Sequence, residues 1–293
     1  MSKLVTLTLI LSALLLTGTL QIQAQSGLKS VKESCVMNVA TFNLRMDTPS
    51  DGENAWPKRK EMVKGLIRFH DFDIFGTQEG FKHMLDDISG LDGYAYIGAG
   101  RDDGKDAGEH SAIFYKTGRF ELLEQGDFWF SETPEVPGLG WDATCCNRIC
   151  SWGKFRDKES RCEFYLFNLH YDHQGEVARR ESSKLLLARI RQVAGEEVPV
   201  LVTGDFNALP ADGPIQVLAA DGLLLDSHEI SKQPPYGTMG TYNSFKSDSE
   251  MKGRIDYIWI TKGVTVQKYG VLNDMQYGRF PSDHFPVMVR VVL

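Results

Sequence analysis

Past its first two dozen residues this 293-residue chain has no apolar run long enough to cross a bilayer, no low-complexity stretch, no block of like charge and no internal repeat. A helical span later in the chain, a disordered linker and a solenoid are all excluded. Basic excess is missing as well: 32 Lys and Arg against 39 Asp and Glu give a formal net charge of −7. Proteins that track long nucleic acid draw most of their affinity from counterion release on a basic surface. The acidic balance therefore argues against tight, nonspecific nucleic-acid binding, while leaving room for a local cationic site. Cysteine is scarce and odd in number: Cys35, Cys145, Cys146, Cys150 and Cys162. The spacing CC-x3-C-x11-C matches no usual zinc-ligand pattern, so buried thiols or one local disulfide are expected.

What is present begins with Lys3 and the apolar 4-LVTLTLILSALLLTGTL-20, closing near the small residue Ala24. That is the layout of a secretory signal peptide over residues 1–24, followed by a polar leader over 25–35. Cleavage would remove Lys3 and no acid. The mature chain is expected to be exported, periplasmic or secreted, with no membrane span, and to act as a monomer.

From residue 36 to 293 the pattern reads as one domain of alternating elements. Strands are expected at Val36–Leu44, Phe72–Glu79, Ser111–Lys116, Arg119–Phe130, Ile149–Lys154, Glu163–Leu169, Val198–Thr203, Arg254–Ile260, Thr265–Val271 and Val287–Val292. Helices are expected at Pro57–His70, with proline in its first turn, and at Glu176–Ala194, where Leu186, Ile190 and Val193 share a stripe. Some strands follow each other directly and others are separated by a helix. Mixed sheets with helices outside fit that order.

Polar residues recur where these strands end: Asn43 in TFNLR, Glu79 in TQEG, His170 in NLHYDH, Asp205 and Asn207 in GDFN, Asp256 in RIDYI, and Asp283 and His284 in PSDHFP. Burying a carboxylate, amide or imidazole there is costly unless the groups pair with one another, a cation or a ligand. Singly each has an ordinary explanation, such as a turn, a core ion pair or a satisfied histidine. One converging site accounts for all of them.

In order and spacing the set TFN, QE, NLH, GDFN, RIDYI and SDH resembles the endonuclease/exonuclease/phosphatase superfamily, over about residues 36–293. The resemblance implies an α/β fold, a DNase-like four-layer sandwich of two mixed, largely antiparallel β-sheets flanked by helices. It implies that Asn43 and Glu79 bind a divalent metal, Mg²⁺ or Mn²⁺, with Asp283 near a second or shared position. It also implies that His170 stands against the phosphate, Asp205 orients or deprotonates water, Asn207 assists it, and Asp256 fixes the tautomer of His284, which contacts or protonates the phosphoryl group. Where some branches carry an acid two positions after the asparagine, this chain has Arg45. Arg45, Arg148 and Arg179 are candidates for substrate binding.

Such a set has its own logic. A phosphoester is anionic and repels hydroxide, so hydrolysis needs positive charge on the nonbridging oxygens, a base for water and help for the leaving oxygen. An oxygen-rich set suits Mg²⁺ or Mn²⁺ and suits zinc poorly. The expected activity is metal-dependent hydrolysis of a small or exposed phosphoester. Two alternatives share that chemistry: a secreted nuclease, which would need a basic groove, and a sphingomyelinase-like phospholipase, for which 128-FWFSETPEVPGLGW-141 is the candidate membrane-facing segment. A noncatalytic binding module would have lost Glu79, Asp205 or His284, and all three are present.

Overall fold

The computed structural model describes residues 34–248, 250–251 and 253–293, so the expected signal peptide lies outside them. The first strand, β1 (Val36–Asn43), shows how the layers arise. Side chains alternate across a strand; Met37 and Val39 enter one apolar core while Ala40 and Phe42 enter another. A strand buried on both faces must lie inside a stack.

Eleven more strands follow: β2 (Ile74–Gln78), β3 (Tyr94–Ile97), β4 (Ile113–Lys116), β5 (Phe120–Trp129), β6 (Ile149–Asp157), β7 (Glu163–His170), β8 (Val200–Asp205), β9 (Leu224–Asp226), β10 (Asp256–Thr261), β11 (Thr265–Val271) and β12 (Val287–Val292). They form two six-stranded sheets, ordered β11-β12-β1-β2-β4-β3 and β5-β6-β7-β8-β10-β9. Each sheet has one parallel pair at its centre, β1 with β2 and β7 with β8, and antiparallel pairs elsewhere. The helix α1 (Trp56–Phe69) makes the first parallel crossover and α3 (Glu176–Val193) the second.

Val39, Ile74 and Ile113 of the first sheet pack against Phe155, Phe164, Leu201 and Ile258 of the second. Outside the first sheet lie α1 and α2 (Lys82–Ser89), which bury Val63, Ile67, Met84 and Leu85 against Phe42, Phe75 and Phe114. Outside the second, α3 and α4 (Gly213–Asp221) bury Leu186, Ile190, Ile215 and Leu218 against Phe167, Val202 and Trp259. The result is a four-layer helix–sheet–sheet–helix sandwich.

One polar cluster crosses between the sheets. The Asn168 amide donates to the carbonyls of Thr77 (2.8 Å) and Ala112 (2.9 Å) and accepts from Gln78 (2.7 Å) and Thr203 (3.0 Å). This buried amide is satisfied on all four sides, which pins the register of β2 against β7 and β8. Gly76 is what allows the approach, because a Cβ there would collide with the Asn168 side chain.

Cys145 and Cys146 form a local disulfide, and Cys35, Cys150 and Cys162 are buried. Buried thiols and a local disulfide, expected as alternatives, occur together. No helix among the described residues is long and apolar enough to cross a membrane.

Candidate active site

The topology explains why polar residues gather at strand ends. The C-terminal ends of the parallel strands β1, β2, β7 and β8 open on one edge of the sandwich, where ligand crevices form in sheets of this kind. Asn43 is paired with Gln78, one residue before Glu79, and His170 is paired with Asp205. Antiparallel neighbours bring their N-terminal ends to the same edge: Asp256, first in β10, is the register partner of Asp205, and Asp283 and His284 precede β12. The chain turns sharply as it leaves these strands, with positive φ at Arg45 (56°), Glu79 (61°) and Asn207 (46°). Left-handed non-glycine residues store strain and cluster where a side chain must be aimed.

At the centre is Asp205, buried, with Oδ2 3.0 Å from Asn43 Nδ2, 3.6 Å from His170 Nε2 and 3.9 Å from His284 Nε2. Its Oδ1 accepts the Asn207 N–H at 2.9 Å. Burial, and then the nearby Asp256 carboxylate, push the Asp205 carboxyl up to about 7. His284 Nδ1 lies 2.9 Å from Asp256 Oδ2. Burial works against a charged imidazole there, but the carboxylates of Asp256, Asp205 and Asp283 outweigh it and hold His284 well above the ordinary histidine range. The arrangement is a base candidate beside an imidazolium held by its own carboxylate. Ligand atoms of Asp205, Asp256 and His284 lie close enough together to hold an ion; the short Asp256–His284 bond makes an acid–base pair the better reading of that trio.

His170 is also buried, with Nδ1 3.7 Å from Glu109 and Nε2 toward Asp205. Burial, followed by the Arg148 and Arg101 charges, depresses its basicity well below the ordinary value, so it is neutral.

The metal-ligand candidates occupy the other side. Glu79 accepts the Asn43 amide at 3.1 Å and the Met46 N–H at 2.9 Å, and the Asn43 oxygen takes the Arg45 N–H at 2.9 Å. The Asn43 amino group thus sits between two carboxylates, Glu79 and Asp205, where a cation would be equally attracted. Asp283 is raised above the usual carboxylate range, by burial first and then by Glu79, with His284 and Arg45 opposing. Carboxylate oxygens that repel each other around one cavity fit a hard divalent cation.

Not every candidate is placed alike. Arg45 lines the cavity but gives two nitrogens to Asp51, each at 2.9 Å. Arg148 lines it and is buried, whereas Arg179 stands outside the lining with Nη1 on the Asp172 carbonyl at 3.0 Å. The cavity itself holds about 450 Å³ and includes residues the sequence did not single out: Arg101, paired with Glu109 at 2.7 Å, His173 and Tyr242. The Tyr242 ring meets His284 edge-on at 5.1 Å. A further overlooked residue is Arg59 on α1, almost fully buried, which donates to the carbonyls of Leu44, Arg45, Asn54 and Pro281. It clamps the exit of β1 to the turn that carries Asp283.

Comparison with known proteins adds to this geometry. The model of the Endonuclease/Exonuclease/phosphatase family matches residues 40–284. A crystal structure of an endonuclease/exonuclease/phosphatase family protein from Bacteroides thetaiotaomicron is 44% identical and superposes with a TM-score of 0.85, covering 89% of this chain and 98% of that one. A mannosyl-6-phosphatase from Bacteroides thetaiotaomicron is 45% identical with a TM-score of 0.84, covering 88% of this chain and 100% of that one. The Ccr4 3'-5'-exoribonuclease subunit of Mycosarcoma maydis is 23% identical over 86% of this chain; the chain spans about half of that subunit's length, 49%.

Proposed function

The chain belongs to the endonuclease/exonuclease/phosphatase family, a family of phosphoester hydrolases, and on that premise we propose that it is an exported, divalent-metal-dependent phosphatase of small phosphorylated compounds such as sugar phosphates. The observation that carries this reading is the convergence of Asp205, the Asp256–His284 pair and neutral His170 in one cavity of about 450 Å³. The mannosyl-6-phosphatase, similar along nearly its full length, supports a monoester of a small polyol over a polymer. So does the acidic balance of the chain. Export rests on the signal-peptide pattern of residues 1–24.

In this proposal Asp205 takes the proton of the attacking water, a task for which a carboxyl near 7 is well matched at neutral pH. Asn207 is held beside it by its own N–H on Asp205 and by its amide on the Tyr171 carbonyl at 3.0 Å. His284, fixed as an Nε2–H donor by Asp256, stabilises charge on the phosphoryl group. Neutral His170 adds a hydrogen bond without competing for the water proton. A Mg²⁺ or Mn²⁺ held by Glu79, Asp283 and Asn43 would neutralise charge on the nonbridging oxygens.

The test is turnover of mannose 6-phosphate, p-nitrophenyl phosphate, bis-p-nitrophenyl phosphate, plasmid DNA and sphingomyelin with Mg²⁺, Mn²⁺ or EDTA. Monoester hydrolysis that EDTA abolishes is expected, with Asp205→Asn and His284→Ala each lowering kcat by about 10³-fold or more. Near-normal rates in both variants, or a preference for DNA or sphingomyelin, would overturn the proposal.

A further inference from the structure

The cavity lining also includes Arg101, Arg148 and His173, to which the roles above assign nothing. His173 follows β7 on a short loop that is fastened at three points. Asp172 Oδ1 accepts the N–H groups of Gln174 (2.8 Å) and Gly175 (2.6 Å), and the Tyr171 carbonyl accepts the Asn207 amide. The loop is therefore tied directly to the residue proposed to assist the attacking water. Arg148 Nη2 lies 2.8 Å from His173 Nδ1. A guanidinium can only donate, so Nδ1 must accept and the ring proton resides on Nε2. Although His173 is an exposed residue, partial desolvation and then the Arg148 charge lower the basicity of its ring, with Asp172 opposing. Nε2–H is the one polar group of His173 left for a ligand.

The donors behind the ring are incompletely used. Arg148 Nε is 3.5 Å from Asp172 Oδ2, and Nε and Nη1 are buried with no hydrogen-bond partner. A buried guanidinium with an unspent donor favours an anionic oxygen within its reach. A phosphomonoester has three nonbridging oxygens, and a diester has two because the third carries a second carbon.

We propose that His173, positioned by Arg148, selects phosphomonoesters by donating Nε2–H to the oxygen that would bear the second ester group in a diester. This rests on the phosphoester-hydrolase reading of the same cavity and deepens it. His173 then acts as a specificity-determining residue, and Arg148 as the positioning residue that sets its tautomer.

The experiment measures kcat/KM for p-nitrophenyl phosphate and bis-p-nitrophenyl phosphate on the whole chain, for wild type, His173→Ala, His173→Gln and Arg148→Gln, together with the inhibition constant of inorganic phosphate. Loss of one hydrogen bond to a charged oxygen should lower the monoester-to-diester ratio about 30-fold in His173→Ala and weaken phosphate inhibition in parallel. His173→Gln, which keeps an N–H donor, should recover most of the ratio. Arg148→Gln should lower the ratio while raising the monoester KM more than it lowers kcat. A wild-type ratio in His173→Ala, with turnover intact, sinks this inference and leaves the hydrolase reading standing. Absence of turnover in the wild type with every cation sinks both.

Discussion

Among single residues, Asp256 controls two groups of the site at once, because its carboxylate acts on both Asp205 and His284. It raises Asp205, where burial contributes first, and it raises His284 against the opposing effect of burial. The proposed base must be ionised and the proposed donor must be protonated, so activity should rise with pH through the Asp205 titration and fall through that of His284. Asp256→Asn removes one negative charge from both neighbours. Asp205 then loses its repulsion and titrates lower, and His284 loses its partner and also titrates lower. Both limbs of the pH–rate profile are expected to move to lower pH, with kcat down about 100-fold. An alkaline limb that stays in place would show that His284 does not titrate in catalysis. These pairings were legible in the sequence only as a set. GDFN, RIDYI and SDH placed the acids and the histidine at strand ends, but the contact of Asp256 with His284 rather than an arginine depends on the two sheets packing so that the start of β10 meets the turn before β12. Arg254, two residues before Asp256 in the chain, is turned away to Asp226 at 2.8 Å.

Among elements, the long strands and the two long helices follow the sequence pattern closely, with ends displaced by a few residues. The elements that pattern reading missed are α2, α4, β3, β9 and a 3-10 turn over Pro49–Asn54. All are short, and their signals are weak for identifiable reasons. Helix α2 has no side-chain N-cap bond, β3 fully buries only Ile97, and the 3-10 turn buries nothing. Packing makes α2 and β3 rather than propensity, whereas the 3-10 turn is held locally, with the Thr48 side chain accepting the Ser50 N–H and proline in its first turn. Arg101, Glu109 and His173 escaped for a related reason, since they sit in loops whose residue types carry no period. The same holds for Arg59, which lies within a correctly expected helix but on its buried face. Through it, α1 joins the exit of β1 to the Pro281 carbonyl, and desolvation lowers its guanidinium to about 10, still charged at neutral pH. Arg59→Ala would strand several buried carbonyls and is expected to cost about 3 kcal/mol, read as a lower denaturant midpoint. It should also lower kcat, because Asn43 and Asp283 lose their common brace. Unaltered stability would mean that water replaces the clamp.

At the scale of the whole molecule, the edge away from the site is held by another arginine. Arg119 Nη1 is 2.8 Å from Asp73, which precedes β2 of the first sheet, and Nε is 2.9 Å from Asp157, which ends β6 of the second; Nη2 donates to the Val36 carbonyl of β1 at 2.6 Å. One side chain thus bridges both sheets far from the catalytic edge, so stability and activity should separate there. Arg119→Ala is expected to lower Tm by about 3–6 °C while leaving kcat/KM near the wild-type value. The pH dependence gives a sharper check. Burial tends to raise the Asp157 carboxyl, but the hydrogen bonds from Arg119 and Ser160 overcome it and bring it below the usual range. A carboxylate depressed in the folded state stabilises above its unfolded value, and that contribution is lost as pH falls through the folded one. The Tm difference between wild type and Arg119→Ala should therefore be full at neutral pH and shrink below about pH 4. A difference that stays constant down to pH 3 would mean that Arg119 stabilises through its carbonyl bond and packing alone, and that the charge bridge between the sheets contributes nothing.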